Sequence, residues 1–263
     1  MFSLQQLLKF YLTATPVRKI ASPYFKNLLE EVLDKERIYY SFSSIERLKN
    51  QLLLDASTIE VHDLGAGSRK KAGLYRTIQS IAKTAVSSTA QCAQLFRLVY
   101  FLQAKNRLEI GSSLGISSLY QYFPIRNSKM YSLEGCPNIA QIAQSNFDKL
   151  AANNLELIVG NFADTLLPTL KKMQSLDYVF IDGNHRLDAR LSYFETCLPY
   201  CHAQSVMVLD DIHWSKEMQQ AWARIRKHPK VALSIDLYHM GWVFFDAKDS
   251  PQKQLNILFN PFN

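Results

Sequence analysis

Five short apolar runs set the fold. They lie at residues 107–110, 130–133, 155–159, 177–181 and 205–209, and between them the pattern turns helical. Ile139, Ala143, Asn146, Phe147 and Leu150 share one stripe; so do Arg190, Tyr193, Phe194 and Cys197, and Met218, Ala221, Trp222 and Ile225. Strands separated by single helices pair side by side only through crossovers, which are right-handed, so the rhythm predicts βαβ units on a parallel sheet. After His228-Pro229 the rhythm changes. Runs at 231–237 and 242–245 are joined by Tyr238 to Gly241, a link that permits a hairpin and forbids a parallel crossover. A last strand-like piece spans Leu255 to Phe259.

The region before the first run reads as helical. Leu4, Leu7, Leu8, Tyr11 and Leu12 form one apolar face, Phe25, Leu28, Leu29, Val32 and Leu33 a second, and Ile45, Leu48, Leu52 and Leu53 a third. Residues 75–88 and 91–103 read as helices too, with Leu95, Leu98, Val99 and Leu102 inward. Val61 to Leu64 reads as a short extended piece. The expected division is a helical extension over 1–90 and an α/β domain over 91–263.

Doubly wound sheets bind ligands beyond the carboxyl ends of their strands, so the residues after each run carry the function. Gly111 and Gly115 follow the first run and let the turn approach a ligand closely; Ser117 lies at the start of the next helix. Two glycines four apart do not make the three-glycine dinucleotide loop, and a carboxylate or a small nucleoside suits this turn better. Glu134 ends the second run, placed to accept from ribose hydroxyls. Asn161 and Phe162 follow the third, Asp182 and His185 the fourth, and Asp210 and Asp211 the fifth. Acids thus gather at one sheet edge.

Four spaced motifs carry a resemblance: Leu108-Glu-Ile-Gly-Ser-Ser-Leu-Gly-Ile-Ser117; Ser132-Leu-Glu134; Val159-Gly-Asn161 with Leu166-Leu-Pro168; and Asp177-Tyr-Val-Phe-Ile-Asp182. Residues 91–246 resemble class I S-adenosylmethionine-dependent methyltransferases, in the branch similar to catechol and caffeoyl-CoA O-methyltransferases. The resemblance implies a Rossmann-like seven-stranded sheet with the last strand antiparallel, and S-adenosylmethionine as cofactor. It implies Gly111, Ser112, Gly115 and Ser117 around the methionine end, Glu134 on the ribose, Asn161 and Phe162 on the adenine, and Glu109 and Asp182 also in the cofactor site. It also implies a divalent cation, Mg²⁺ or Ca²⁺, on Asp182, Asp210 and Asp211; the resembling enzymes carry Asn where Asp211 stands. The competing expectation is that Asp210 or Asp211 caps the following helix. His185 lies three residues after Asp182, where the resembling enzymes carry a lysine base, so His185 and Asp182 are the candidate catalytic residues. A second glycine loop, Asp63-Leu-Gly-Ala-Gly-Ser68, has no acid-ended strand after it and reads as a turn near the active-site mouth.

Charge divides the chain. Residues 1–107 hold 16 Lys/Arg against 8 Asp/Glu, and no acid occurs between Asp63 and Glu109. Two functions compete for that basic stretch: attraction of an anionic small-molecule acceptor, with Arg69, Lys70 and Lys71 at the pocket mouth, or an RNA-docking face. The small-molecule acceptor is favoured, because no stacking platform accompanies the charges. A non-catalytic nucleotide-binding module is the third reading. Four cysteines are too few for a disulfide framework, and Cys197, Cys201 and His202 lack a second metal-ligand pair. These thiols point to a reducing, cytoplasmic setting. No apolar run reaches the ~18 residues of a membrane span, and the first residues read as an amphipathic helix, not a signal peptide. Homo-oligomerisation is compatible with the sequence, which carries no signal for or against it.

Overall fold

The structure, a computed structural model, describes residues 4–62 and 74–258. The loop at 63–68 and the basic residues Arg69, Lys70 and Lys71 lie outside the described residues. Helices α1 (Leu4–Thr13), α2 (Pro23–Leu33) and α3 (Phe42–Leu54) lead to strand β1 (Thr58–Val61). Strand β2 (Leu74–Thr77) pairs antiparallel with β1, followed by α4 (Ile78–Thr84) and α5 (Thr89–Leu102). The α/β part then runs β3 (Arg107–Ile110), α6 (Ile116–Tyr122), β4 (Met130–Glu134), α7 (Pro137–Lys149), β5 (Leu155–Val159), α8 (Phe162–Met173) and β6 (Leu176–Ile181). It continues with α9 (Leu187–Cys197), β7 (Cys201–Asp210), α10 (Lys216–Ile225), β8 (Leu233–Asp236), β9 (Met240–Phe244) and β10 (Gln254–Asn256).

The main sheet has the order β10-β8-β9-β7-β6-β3-β4-β5. Only β9 runs antiparallel, inserted between β7 and β8. Seven of these strands are those expected, with the antiparallel hairpin strand in place. The eighth, β10, falls on the strand-like piece read from Leu255; it adds in parallel at the β8 edge, and Thr15 ties it to the N-terminal segment through Thr15 N–H to the Asn256 carbonyl at 2.7 Å. One further reading is corrected: residues 75–77 are strand, not helix, because their backbone pairs with 58–60 before Thr77 caps α4 by accepting from Ser80 N–H at 3.1 Å.

The sheet is covered on both faces, as a parallel sheet requires. Phe25, Leu28, Leu29 and Val32 of α2, all fully buried, join Leu95, Leu98 and Val99 of α5 against Tyr178, Phe180, Val206 and Val208 of the sheet. Residues from α8, α9 and α10 cover the other face over Val179, Ile181, Met207 and Leu209. The extension therefore shares its core with the sheet. The face expected on α1 is only partly covered: Leu7 and Tyr11 are half-buried, Leu8 and Leu12 are 53% and 83% exposed, and Phe10 turns inward.

Two buried arginines stand where an apolar stripe would be expected. Arg107 opens β3, and its guanidinium donates to the carbonyls of Gln121, Tyr122, Ile125 and Ser128. These are the orphan acceptors at the end of α6 and the turn beyond it, which a cation satisfies well. Burial lowers its pKa to about 10. Arg97 of α5 donates to the carbonyls of Val32 and Arg37. Both charges are spent on backbone and are withheld from any nucleic-acid phosphate.

Candidate active site

The sheet's topology makes the site. From β3, the chain proceeds to β4 and β5 on one side and to β6 and β7 on the other, so β3 and β6 part at their carboxyl ends. Ile110 and Ile181 are paired, which sets Gly111 and Asp182 side by side at that opening. Asp182 N–H donates to the Ile110 carbonyl at 2.9 Å. A Cβ on Gly111 would stand 2.9 Å from the Gly183 nitrogen, and Gly111 has φ +102°, so only glycine fits.

A cavity of about 580 Å³ opens there. Gly111, Ser113, Glu134, Asn161, Phe162 and Asp182 line one part, His185, Asp210 and Asp211 another, and Arg76 and residues 84–88 the facing wall. Of the residues expected to bind cofactor, these are brought together. Glu109, Ser112, Gly115 and Ser117 do not line the cavity; they build the loop from behind. Glu109 is fully buried and accepts from Ser117 at 2.7 Å, Gln121 at 2.7 Å, Ser132 at 2.6 Å and also from Ser118. Burial raises its pKa, and the four donors oppose that rise. Gly115 (φ +82°) leaves room for Phe147, whose ring a Cβ would meet at 2.5 Å.

Glu134 is oriented by backbone. Its two oxygens accept from Ser113 N–H and Cys136 N–H, each at 2.9 Å, so the carboxylate is fixed with lone pairs to spare. Burial raises its pKa. Asn161 caps α8 by accepting from Ala163 N–H at 3.0 Å, and Phe162 packs edge-on to Tyr193.

The acids at the other end form a charged nest around Arg190. This arginine lies on the inward stripe of α9, 1% exposed, and donates to the Ile181 carbonyl. The sequence pattern puts it on that stripe, and a charged residue on an apolar face is the signal that marks it as part of the site. Burial raises all three carboxyl pKa values, and neighbouring carboxylates add to the rise at two of them: Asp182 goes well above the usual range, Asp210 to about 7, and Asp211 is raised by burial against the opposing charge of Arg190. Neither Asp210 nor Asp211 caps α10. Ser215 does, accepting from Met218 N–H at 3.1 Å, so the capping explanation for the two acids falls away.

Asp182, His185 and Asp211 offer ligand atoms within 4.8 Å of one another. His185 is constrained further. Its Nδ1 lies 3.3 Å from Arg190 Nη2, and an arginine only donates, so Nδ1 carries the lone pair and Nε2 the proton. Burial and the Arg190 charge lower its pKa to about 4. Nε2 points at Asp211 Oδ2, 3.9 Å away. Asp210 is 5% exposed; its Oδ2 lies 3.5 Å from the Ser87 hydroxyl, and its Oδ1, among the described residues, has no partner. A buried, orphaned carboxylate oxygen beside two further acids fits a hard cation with oxygen ligands. Trp214, 58% exposed, stands 5.0 Å from the His185 ring, whereas Trp242 is core. Cys197 and Cys201 do not form a metal centre with His202: Cys201 Sγ donates to the Cys197 carbonyl, and His202 pairs with Asp177.

Residues 108–212 match the family described as a methyltransferase domain. The segment belongs to that methyltransferase family. A catechol O-methyltransferase of Niastella koreensis is 28% identical over 118 residues, 44% of this chain. That match spans about half (52%) of the relative's length. The SAH-bound methyltransferase PaMTH1 of Podospora anserina superposes with a TM-score of 0.56 at 17% identity, over 80% of this chain and 99% of that one. The O-methyltransferase of Bacillus cereus in complex with SAH gives 0.55 at 19% identity, over 83% and 96%. The methyltransferase domain thus has the fold of these enzymes, and its strand ends form one side of the described cavity. No helix among the described residues is long and apolar enough to cross a membrane.

Proposed function

We propose that the chain is an S-adenosylmethionine-dependent methyltransferase acting on a hydroxyl of a small molecule, with a divalent cation on Asp182, Asp210 and Asp211. The observation that carries this is one cavity with two chemically distinct ends: an oriented, buried carboxylate, Glu134, beside the glycine turn, and three crowded carboxylates beyond it. The known enzymes of similar fold include SAH complexes, and the catechol O-methyltransferase relative supports an oxygen acceptor.

S-adenosylmethionine supplies an electrophilic methyl group, and a bound cation supplies the positive charge that acidifies an acceptor hydroxyl. The residues do the rest. Glu134 holds the ribose hydroxyls by accepting from them, and Phe162 and Asn161 flank the base. Gly111 permits close approach of the turn. Asp182, Asp210 and Asp211 hold the cation end. His185 cannot take a proton on Nδ1 while Arg190 donates to it, so we assign His185 the part of a donor through Nε2, orienting the acceptor oxygen. The hydroxyl proton passes to the carboxylates, with Asp182 the nearest to the glycine turn by strand pairing. The extension over 1–90, on this reading, forms the acceptor-side wall through Arg76 and residues 84–88. Four unpaired cysteines suit a reducing compartment.

Calorimetry with S-adenosylhomocysteine tests the reading. Wild type should bind, and Glu134→Ala should weaken binding by about 1–3 kcal/mol, the scale of hydrogen bonds to a charged group. Absence of binding to wild type would overturn it.

A further inference from the structure

Arg76 occupies a place that the pairing of β1 and β2 reserves for an inward side chain. It is paired with Ile59, and Ile59 and Val61 pack against the helical core, while the intervening Tyr75 is 73% exposed. An arginine therefore stands, half-buried, on the inner face of the ribbon and in the wall of the cavity. It is held there by neutral groups. Its Nη2 donates to Thr84 Oγ1 at 2.6 Å, to Ser80 Oγ at 3.3 Å and to the Ser80 carbonyl at 3.4 Å. Among the described residues no carboxylate pairs with it, and these bonds leave Nε and Nη1 open. Nε–H and the two Nη1–H groups remain as donors, and each can give a charge-assisted hydrogen bond to a carboxylate oxygen. The acids of the cavity, Asp182, Asp210 and Asp211, belong to the sheet side, so the two walls carry opposite charge.

We propose that Arg76 determines acceptor specificity by binding a carboxylate on the molecule that is methylated. This rests on the methyltransferase reading and adds to it the substrate class: a hydroxylated carboxylic acid whose hydroxyl faces the aspartates while its carboxylate faces Arg76. One fixed guanidinium matches one monoanionic group. The cofactor also bears a carboxylate, so the test must separate the two sources.

The test uses the full chain saturated with S-adenosylhomocysteine and Mg²⁺, and two ring probes that differ by one carboxylate: catechol and 3,4-dihydroxybenzoate. Calorimetry should show wild type binding dihydroxybenzoate about tenfold or more tightly than catechol, the scale of a hydrogen bond to a charged group. Arg76→Gln should erase that preference and leave catechol unchanged, and Arg76→Lys should keep part of it. Thr84→Val, which keeps the charge and removes its anchor, should give an intermediate loss; it guards against misfolding of the arginine variants, as do their melting temperatures. No preference in wild type, including binding of neither ring, overturns the proposal. So does an Arg76→Gln variant that loses S-adenosylhomocysteine but retains 5′-methylthioadenosine, which lacks the cofactor carboxylate: the arginine then serves the cofactor. Failure of wild type to bind S-adenosylhomocysteine at all is a different result, and removes the methyltransferase reading beneath.

Discussion

Gly111 shows how much one residue decides. Its backbone stands at φ +102°, and the atoms a side chain would meet are backbone atoms of Asp182 and Gly183, which have no room to yield. Gly111→Ala should cost about 1–3 kcal/mol, the range for a residue forced into a sparsely populated backbone region. The same change pushes the β3 turn away from β6, so S-adenosylhomocysteine affinity should fall as well. Thermal melting and calorimetry on one preparation check both. A variant with wild-type melting and wild-type affinity would show that the turn is not built on this contact. Gly111, Glu134 and Asp182 were legible in the sequence because position after a strand defines them. Arg76 and Arg190 were not, because their roles come from pairings between segments far apart in sequence: β1 with β2, and α9 with the end of β6. Glu109 and Ser117 show the converse: a motif does not report depth. They belong to the motif, yet the structure turns them inward to hold the loop.

At the scale of elements, the β8–β9 hairpin is fastened to α10 by one buried acid. Asp236, 2% exposed, accepts from Trp222 Nε1 at 2.8 Å, from Tyr238 N–H at 2.9 Å and from His213 Nε2 at 3.0 Å, with Arg226 3.7 Å away. Burial raises its pKa, but the donors outweigh burial, and the result is a carboxyl held below its usual value. A depressed carboxyl pKa stabilises the fold above the unfolded value of about 3.9, and that contribution is lost as pH falls through the folded value. Asp236→Asn should therefore melt lower than wild type near pH 7, by the equivalent of about 3 kcal/mol, as when one partner of a buried charge network is removed. The gap should narrow as both proteins are taken below about pH 4, because wild type then gives up the same contribution. A gap that stays constant between pH 7 and pH 3 would mean that Asp236 acts by shape alone. The hairpin itself was visible in the sequence, since a short link between two strand-like runs allows no other pairing. Strand β2 was hidden, because residues 74–77 join directly to a helix and four residues are too few to show a period of two against it.

The whole molecule joins an N-terminal extension to a sheet through one core, and the site lies where the two meet. The sheet supplies the acids, and α9 supplies Arg190 as their lone buried counter-charge among the described residues. Three carboxylates against one guanidinium leave an excess of negative charge; burial raises all three pKa values, and repulsion adds to the rise at Asp182 and Asp210. The site therefore costs the folded state stability at neutral pH, and a divalent cation would recover it. Binding to the folded state alone stabilises by about 2.7 kcal/mol at one hundred times Kd, and for a chain of this length each kcal/mol is worth about 2–4 °C. Saturating Mg²⁺ or Ca²⁺ should thus raise the melting temperature by about 5–11 °C over the chelated protein. Asp210→Asn removes one of the repelling charges and an oxygen donor of full charge. It should melt at or above wild type in chelator, and should show little further rise with cation. Those two effects have opposite sign, which separates a cation site from a merely structural acid: a structural Asp210 would lose stability on substitution and would leave any cation response intact. Melting of wild type that is indifferent to both cations and to chelator would assign the three acids to Arg190 alone.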